Sequence, residues 1–528
     1  MNTFTLSIAA GIGASVLGAS FAHAATAIVS VHAAAPQVIV VEVQTAATNE
    51  AGGTATKPDL LDLTLSKWLV NSRVALGISR MSTPYDEQKA LTNASPNLFP
   101  VTVRHKIYLR LDNPLVQGQP YTIITPYGAT RLAFDNRATW CESIKVNQTG
   151  YSKLASSRFA NFGAYLGDAG SLKLPAGSRY EVIDQRSGRV VLGGEARYIK
   201  DDTAIAGASS GEHVYRLRLD QLAEGGPYFV SVPGCGRSRS FAVGDDASRK
   251  IAYVSARGMY HQRCGTALKD RIVYFADRGG YIGPSPESQA YPQGAAKFLS
   301  WGATTTQGKY ADVYAFASLF ATDGVKKQAY INAVSQYADF SLGLNPLGRS
   351  FVTGLGTDTP QSPAHLDSYF TKYGLADGAG GDPHVKAIGN VPGIVVYGPT
   401  EGRSGAAYQT AVSNKLYPAW DKLPGLRRWG DGWSLINSNE FSTWETMVWN
   451  AAMHGFLYNA SQDPEATSTP AECDGATCAE TKPNACVIEP ARFATPRAAP
   501  GTRVYGFSGI NSYGACTTKV AQLSCEMP

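Results

Sequence analysis

The spacing of the apolar residues changes once, near residue 250, and that change constrains the fold more than any motif. Before it, apolar and polar residues alternate. Val103, Ile107, Leu109 and Leu111 are interleaved with Arg104, Lys106 and Arg110, and Tyr215, Leu217 and Leu219 with Arg216, Arg218 and Asp220. Alternation puts successive side chains on opposite faces of a pleated strand, so each stretch reads as a half-buried strand. Turn residues separate the strands: Gly118 and Pro120, then Pro126-Tyr127-Gly128, then Gly225-Gly226-Pro227 ahead of a return strand over 228–232. Short strands at this spacing imply a sandwich. Beyond residue 250 apolar residues recur every three or four. Val313, Phe316, Ala317 and Phe320 form one stripe; Ile331, Val334, Tyr337 and Ala338 form another, stopped by Gly343 and Pro346. Both stripes read as core. An all-β part followed by an all-α part is the expected architecture.

A chain of 528 residues has room for two or three domains and a sizeable core. With 44% hydrophobic and 17% charged residues it is globular rather than disordered. A net charge of +5 without a basic run argues against a nucleic-acid partner. Residues 6–21 are apolar and small, and Ala22-His23-Ala24 is an A-x-A cleavage site, so 1–24 reads as a signal peptide although its start lacks Lys and Arg. A buried N-terminal helix is the competing reading. No later run is long enough to span a membrane, and a secreted or periplasmic protein is expected. Cys141, Cys235 and Cys264 are scattered; Cys473, Cys478, Cys486, Cys516 and Cys525 crowd the tail, without the paired spacing of a zinc site. Disulfides within the tail fit an oxidising compartment, with connectivity open.

The expected layout is a linker over 25–57, in which 38–43 is a candidate edge strand, and a β-rich region over 58–140. A β-sandwich follows over 141–246, then a helical domain over 250–461 and a Cys-rich tail over 462–528. Within the helical domain, 438–458 (SNEFSTWETMVWNAAMHGFLY) holds the densest signal. Ser442 and Glu445 have capping-box spacing, and Trp444, Met447, Val448, Ala451, Ala452 and Leu457 share a helix face. Glu440 stands just ahead of that helix start. There it either presents a carboxyl group to a cleft or simply lies near a positive helix end.

Asn439-Glu440 and the helix after it resemble the closing segment of glycoside hydrolase family 9, the inverting cellulases. LGLNPLGRSFVTGLG over 342–356 resembles a second family segment, and Arg257-Gly258-Met259-Tyr260-His261-Gln262-Arg263-Cys264-Gly265 resembles the family's first barrel helix. Ile144-Lys145-Val146-Asn147-Gln148-Thr149-Gly150-Tyr151 resembles the opening of the immunoglobulin-like domain that precedes many such catalytic domains. Gly226-Pro227-Tyr228-Phe229-Val230 and Ser240-Phe241-Ala242-Val243-Gly244 resemble that domain's last strands. The resemblance implies an immunoglobulin-like sandwich packed on an (α/α) six-hairpin barrel. It implies hydrolysis of β-1,4-glucan or a related polysaccharide with inversion, Glu440 as general acid, and a monomer. No cofactor is implied beyond the calcium of some relatives, whose ligands nothing here fixes. His365 is the remaining match to a sugar-holding Pro-His-His-Arg run, with Asp367 placed to orient it; a hydrogen-bonded loop histidine is the competing reading. Tyr417, Trp429 and Trp433 are candidate sugar contacts, because a pyranose C–H face packs on an aromatic ring. Arg427, Arg428 and Asp431 would complete a polar rim, and Trp444 reads as core.

Two features depart from the family. An inverting hydrolase needs a second carboxylate to activate water, and the family's Gly-Gly-x-x-Asp-Ala-Gly-Asp base motif is absent. Among Asp270, Asp277 and Asp312, Asp277 is the substitute base that fits least badly. The stretch 250–461 is also about half of what a twelve-helix barrel needs, so the barrel is expected to be incomplete. A catalytically inactive remnant that at most binds glycan is therefore the alternative. A general acid must also stay protonated near neutral pH, which requires burial or a neighbouring like charge.

Overall fold

The computed structural model describes residues 26–48, 61–87, 101–261 apart from 176 and 206, 302–365, 368, 372, 389–402 and 412–458. The expected signal peptide, Asp270, Asp277, Cys264, Asp367 and the Cys-rich tail lie outside the described residues.

Two β-sandwiches occupy the first half. In the first, Ala27–Ala35, Val38–Thr48, Val101–Arg110 and Gly77–Glu87 form an antiparallel sheet in that spatial order. Arg73–Val74, Leu69–Val70, Pro120–Thr125 and Gly128–Ala133 form the facing sheet. Residues 27–48 are therefore two strands and not a linker, and 38–43 lies in an interior strand and not at an edge. The run Val38-Ile39-Val40-Val41 is apolar without alternation because both of its faces are covered. Ile39 and Val41 join Trp68, Ile107, Leu109 and Ile123 inside the first sandwich. Val38 and Val40, with Tyr108, face the core of the second.

The second sandwich pairs Gly150–Tyr151, Phe241–Val243, Gly225–Val232, Arg179–Asp184 and Val190–Glu195 in one sheet. Arg197–Asp202, Glu212–Arg218, Phe159–Phe162 and Ile144–Lys145 make the other. Tyr151, Phe162, Tyr215, Leu217, Val230 and Phe241 fill the space between them. The alternation seen in the sequence places Tyr215 and Leu217 inward.

Four helices of eleven residues or more follow among the described residues: α1 (Asp245–His261), α2 (Ala303–Phe320), α3 (Gly324–Ser341) and α4 (Val448–Tyr458). Asp323 starts α3 sharply, its carboxylate accepting from the Val325 and Lys326 amides at 2.8 and 3.0 Å. Ala311, Tyr314, Val334, Tyr337, Met453 and Leu457 form the core shared by α2, α3 and α4. The stripe expected on α3 is buried at Val334, Tyr337 and Ala338. The stripe expected on α2 is wrong: Phe316 and Phe320 are 50% and 70% exposed, while Ala311, Tyr314 and Ser318 face inward. The described residues are mostly strands, and they do not form the expected all-α barrel.

The motif at 146–151 joins the second sandwich to the helices. The Asn147 amide donates to the Asp339 carboxylate at 2.8 Å, and its oxygen accepts from the Thr149 and Gly150 amides. The Gln148 side-chain oxygen accepts from the Thr357 and Asp358 amides, and the Ser152 hydroxyl donates to the Leu457 carbonyl. Lys153 and Asp245 make an ion pair across the same seam.

Candidate active site

Asn345 builds the loop after α3. Its amide donates to the Phe340 and Arg349 carbonyls and its oxygen accepts from the Leu347 amide. This closes the turn before the extended stretch at 350–353, which hydrogen-bonds to 393–396. Residues 395–398 in turn flank the segment carrying Glu440: the Tyr397 amide donates to the Glu440 carbonyl at 2.8 Å, and the Gly398 amide to the Ser438 carbonyl at 2.8 Å. On the other side the Ala364 amide donates to the Asn439 carbonyl at 2.9 Å. Glu440 is thus fixed between two extended segments and is 6% exposed.

Asp431 braces this arrangement from behind. It accepts from the Gln361 and Ser362 amides and from the Arg349 guanidinium at 3.2 Å. Asn439 donates to the Ser362 carbonyl at 2.6 Å. Asp431 is therefore a buried structural anion and not part of an exposed polar rim. Burial pushes its carboxyl above the ordinary range, opposed by Arg349 and the two amides.

Half of the expected capping box forms. The Ser442 hydroxyl accepts from the Glu445 amide at 3.1 Å. The Glu445 carboxylate does not reach back; it accepts from the Tyr397 phenol at 2.9 Å. The residues 443–447 make a π-helical turn ahead of α4, and the Thr446 hydroxyl ties that turn to the Val395 carbonyl at 2.7 Å. Burial and then the charges of Glu445 and Glu440 push the Tyr397 phenol well up, so it stays protonated as the donor to Glu445. The approach is tight: a Cβ on Gly302, which has φ of +73°, would meet the Tyr397 carbonyl oxygen at 2.1 Å. Tyr397 was missed in the sequence because it ends an apolar run, GIVVY, that reads as a buried strand.

His365 is buried, its ring edge-on to Phe441 at a centroid distance of 4.9 Å. The Ser368 amide donates to Nδ1 at 3.2 Å, and the Ser368 hydroxyl lies 2.8 Å from the same nitrogen. Trp433 is half-buried two residues past Asp431. The other two aromatic candidates have partners within the protein. Tyr417 lies at the junction of the sandwiches, its phenol donating to Asp168 at 2.9 Å and its ring under the Arg80 guanidinium at 3.8 Å. Trp429 is buried in the core, edge-on to Phe351 at 5.8 Å. Trp444, expected in the core, is 45% exposed. Asp312, on α2, is pushed up by burial alone.

No cluster of three or more His, Cys, Asp or Glu side chains suited to a metal occurs among the described residues. No helix among them is long and apolar enough to cross a membrane. Cys141 and Cys235, scattered in sequence, are buried side by side with their Sγ atoms 2.7 Å apart.

Residues 251–457 match the model of glycosyl hydrolase family 9, and residues 140–237 match that of the cellulase N-terminal ig-like domain. A xyloglucan-specific endo-beta-1,4-glucanase of Bacteroides ovatus is 27% identical over 214 residues, 40% of this chain and 32% of that protein. The chain thus spans about a third of that relative's length. Similar solved structures include a metagenome-derived glycoside hydrolase family 9 endoglucanase (15% identity, TM-score 0.36, 60% of this chain and 99% of that one). A Bacteroides ovatus family 9 protein is another (13% identity, TM-score 0.32, 60% and 98%).

Proposed function

We propose that this chain, which carries a glycosyl hydrolase family 9 domain behind a cellulase-type ig-like domain, hydrolyses a β-1,4-linked glucan or related β-linked polysaccharide outside the cell. Glu440 gives its proton to the leaving glycosidic oxygen while a water attacks the opposite ring face, inverting the anomeric carbon. The observation that carries this reading is the seat of Glu440 inside the family-matching segment. Its backbone is pinned on both sides, its side chain is buried, and the Tyr397 phenol, which donates to Glu445, feels its charge. The base that activates the water is Asp277 in this reading. His365 and Trp433 hold the sugar. The absent Asp motif favours a second reading, a glycan-binding protein without hydrolysis.

Reducing-sugar release from soluble β-1,4-glucan and xyloglucan by the purified chain, beside Glu440→Gln and Asp277→Asn, separates the two. Loss of about a hundredfold or more in Glu440→Gln is expected, with an inverted anomer as first product by NMR. A folded wild-type chain that releases no more sugar than Glu440→Gln would leave binding alone.

A further inference from the structure

Cys141 and Cys235 are thiols in the structure, and both are fully buried. Their sulfurs face each other, and Cys235 also lies 4.0 Å from the Ala34 carbonyl oxygen of the first sandwich. The backbones that carry them are pinned together. The Cys141 amide donates to the Arg237 carbonyl at 2.8 Å, and the Arg237 amide donates to the Thr139 carbonyl at 2.8 Å. Between them Gly236, with φ of +116°, lies so close that a Cβ there would run into the Thr139 carbonyl oxygen. The Cys235 amide closes a turn onto the Val232 carbonyl at 2.9 Å. On its other side the Cys141 segment is tied to the first sandwich: the Ala33 amide donates to the Trp140 carbonyl at 3.0 Å, and the Glu142 amide to the Ala33 carbonyl at 3.1 Å.

The plainer use of such a pair is as two small apolar groups in a core. The placement favours a bond. A disulfide needs two side chains aimed at each other from backbones already at the right separation, and here hydrogen bonds on both segments fix that separation. The two residues are 94 positions apart, so the loop between them holds nearly all of the second sandwich, from Ile144–Lys145 to Gly225–Val232. Closing so long a loop removes much of the freedom of the unfolded chain.

We propose that Cys141 and Cys235 are joined by a disulfide that staples the entry of the second sandwich to its turn at 232–236, beside the first sandwich. Forming the bond removes two protons and two electrons. The acceptor is an external disulfide of the class of oxidised glutathione. One cysteine thiolate attacks it and releases the first thiol; the other thiolate then attacks the mixed disulfide and releases the second. Burial and then the neighbouring Cys141 push the Cys235 thiol well up, so the exchange precedes closure of the sandwiches, and the finished bond is out of reach of reductants. The staple does not depend on hydrolysis at Glu440.

Tryptic mapping of the full chain, refolded in a glutathione redox buffer and alkylated before digestion, tests this. The expected product is peptide 138–145 linked to peptide 219–237; the other cysteines lie outside both, so any other pairing gives a different mass. Refolding in dithiothreitol instead is expected to lower the melting temperature of wild type by about 5–10 °C, and that of a Cys141→Ala, Cys235→Ala variant by much less. Alkylation of both cysteines in the folded wild type overturns the proposal. So does linkage of either to a third cysteine, or an equal shift in the two proteins. The mapping uses wild type alone, so it decides the matter even if the alanine variant fails to fold.

Discussion

Two aspartates in the helical half are taken almost wholly out of water, Asp431 and Asp339, and their surroundings differ. Asp431 accepts from two backbone amides and a guanidinium. Asp339 accepts from the Asn147 amide at 2.8 Å and from Ser335 at the long distance of 3.5 Å. Burial pushes both carboxyls up, Asp339 to about 7. The first is bonded as an anion and fixes the loop at 361–362 beneath Asn439 and Glu440. The second has only neutral donors within hydrogen-bond reach, so burial prevails and its carboxyl titrates near neutrality, at the seam between sandwich and helices. A buried carboxylate braces a site when donors surround it; with amide and hydroxyl partners alone it makes a junction sensitive to pH.

The strongest way to break this contrast is Asp431→Ala. It strands two amides and leaves Arg349 without its anion, so a loss of about 3–5 kcal/mol in urea unfolding is expected. An unchanged midpoint would remove the bracing role.

Asp339→Asn is expected to act in the opposite direction. The folded carboxyl is at about 7 against an ordinary 3.8. Between those values the folded chain keeps a proton that the unfolded chain has lost. Unfolding then releases it, and stability falls as pH rises from about 4 to about 7. A carboxamide at this position does not titrate, so Asp339→Asn should flatten that slope and gain about 2 kcal/mol at pH 8. His454 shares a small cavity with Asp339, and burial lowers it to about 4. It tilts the curve the other way, removing stability as pH falls from about 6.5 to about 4, so the Asp339→Asn variant should show a purely acid-side loss. Equal pH slopes in wild type and variant, read from melting temperatures, would assign the slope elsewhere.

Ser442→Ala tests the smaller device that starts the π-helical turn. Loss of one cap bond is expected to cost about 1 kcal/mol, measured by urea unfolding, with circular dichroism confirming that α4 persists. Trp444→Ser should change stability by no more than about 0.5 kcal/mol, because the ring is half outside; a larger loss in the same measurement would show that it is covered.

The alternating residues determined by themselves that the first half is strands and that Tyr215 and Leu217 share a face, because strand periodicity is local; that Glu212 and Val214 on the other face are buried as well was decided by packing. Whereas its start at Asp323 was seen only in the structure, the stripe of α3 and its stop at Gly343 were equally local. The Ser442 cap was readable for the same reason, and Glu445 was not. Its amide belongs to the local turn, while its carboxylate found Tyr397, 48 residues away. Val38-Ile39-Val40-Val41 could be seen as a strand, but only packing decided that it lies inside a sheet with both faces covered. Tyr417 and Trp429 lie near Glu440 in sequence and were assigned with it; the tertiary structure sent one to the junction of the sandwiches and the other into the core. The same holds for the exposed Phe316 and Phe320 on α2. Periodicity says which residues share a face, and only the arrangement of other elements says whether anything covers it. The meeting of Cys141 with Cys235 has no sequence signature at all, since the two lie 94 positions apart and come together only when the chain is folded.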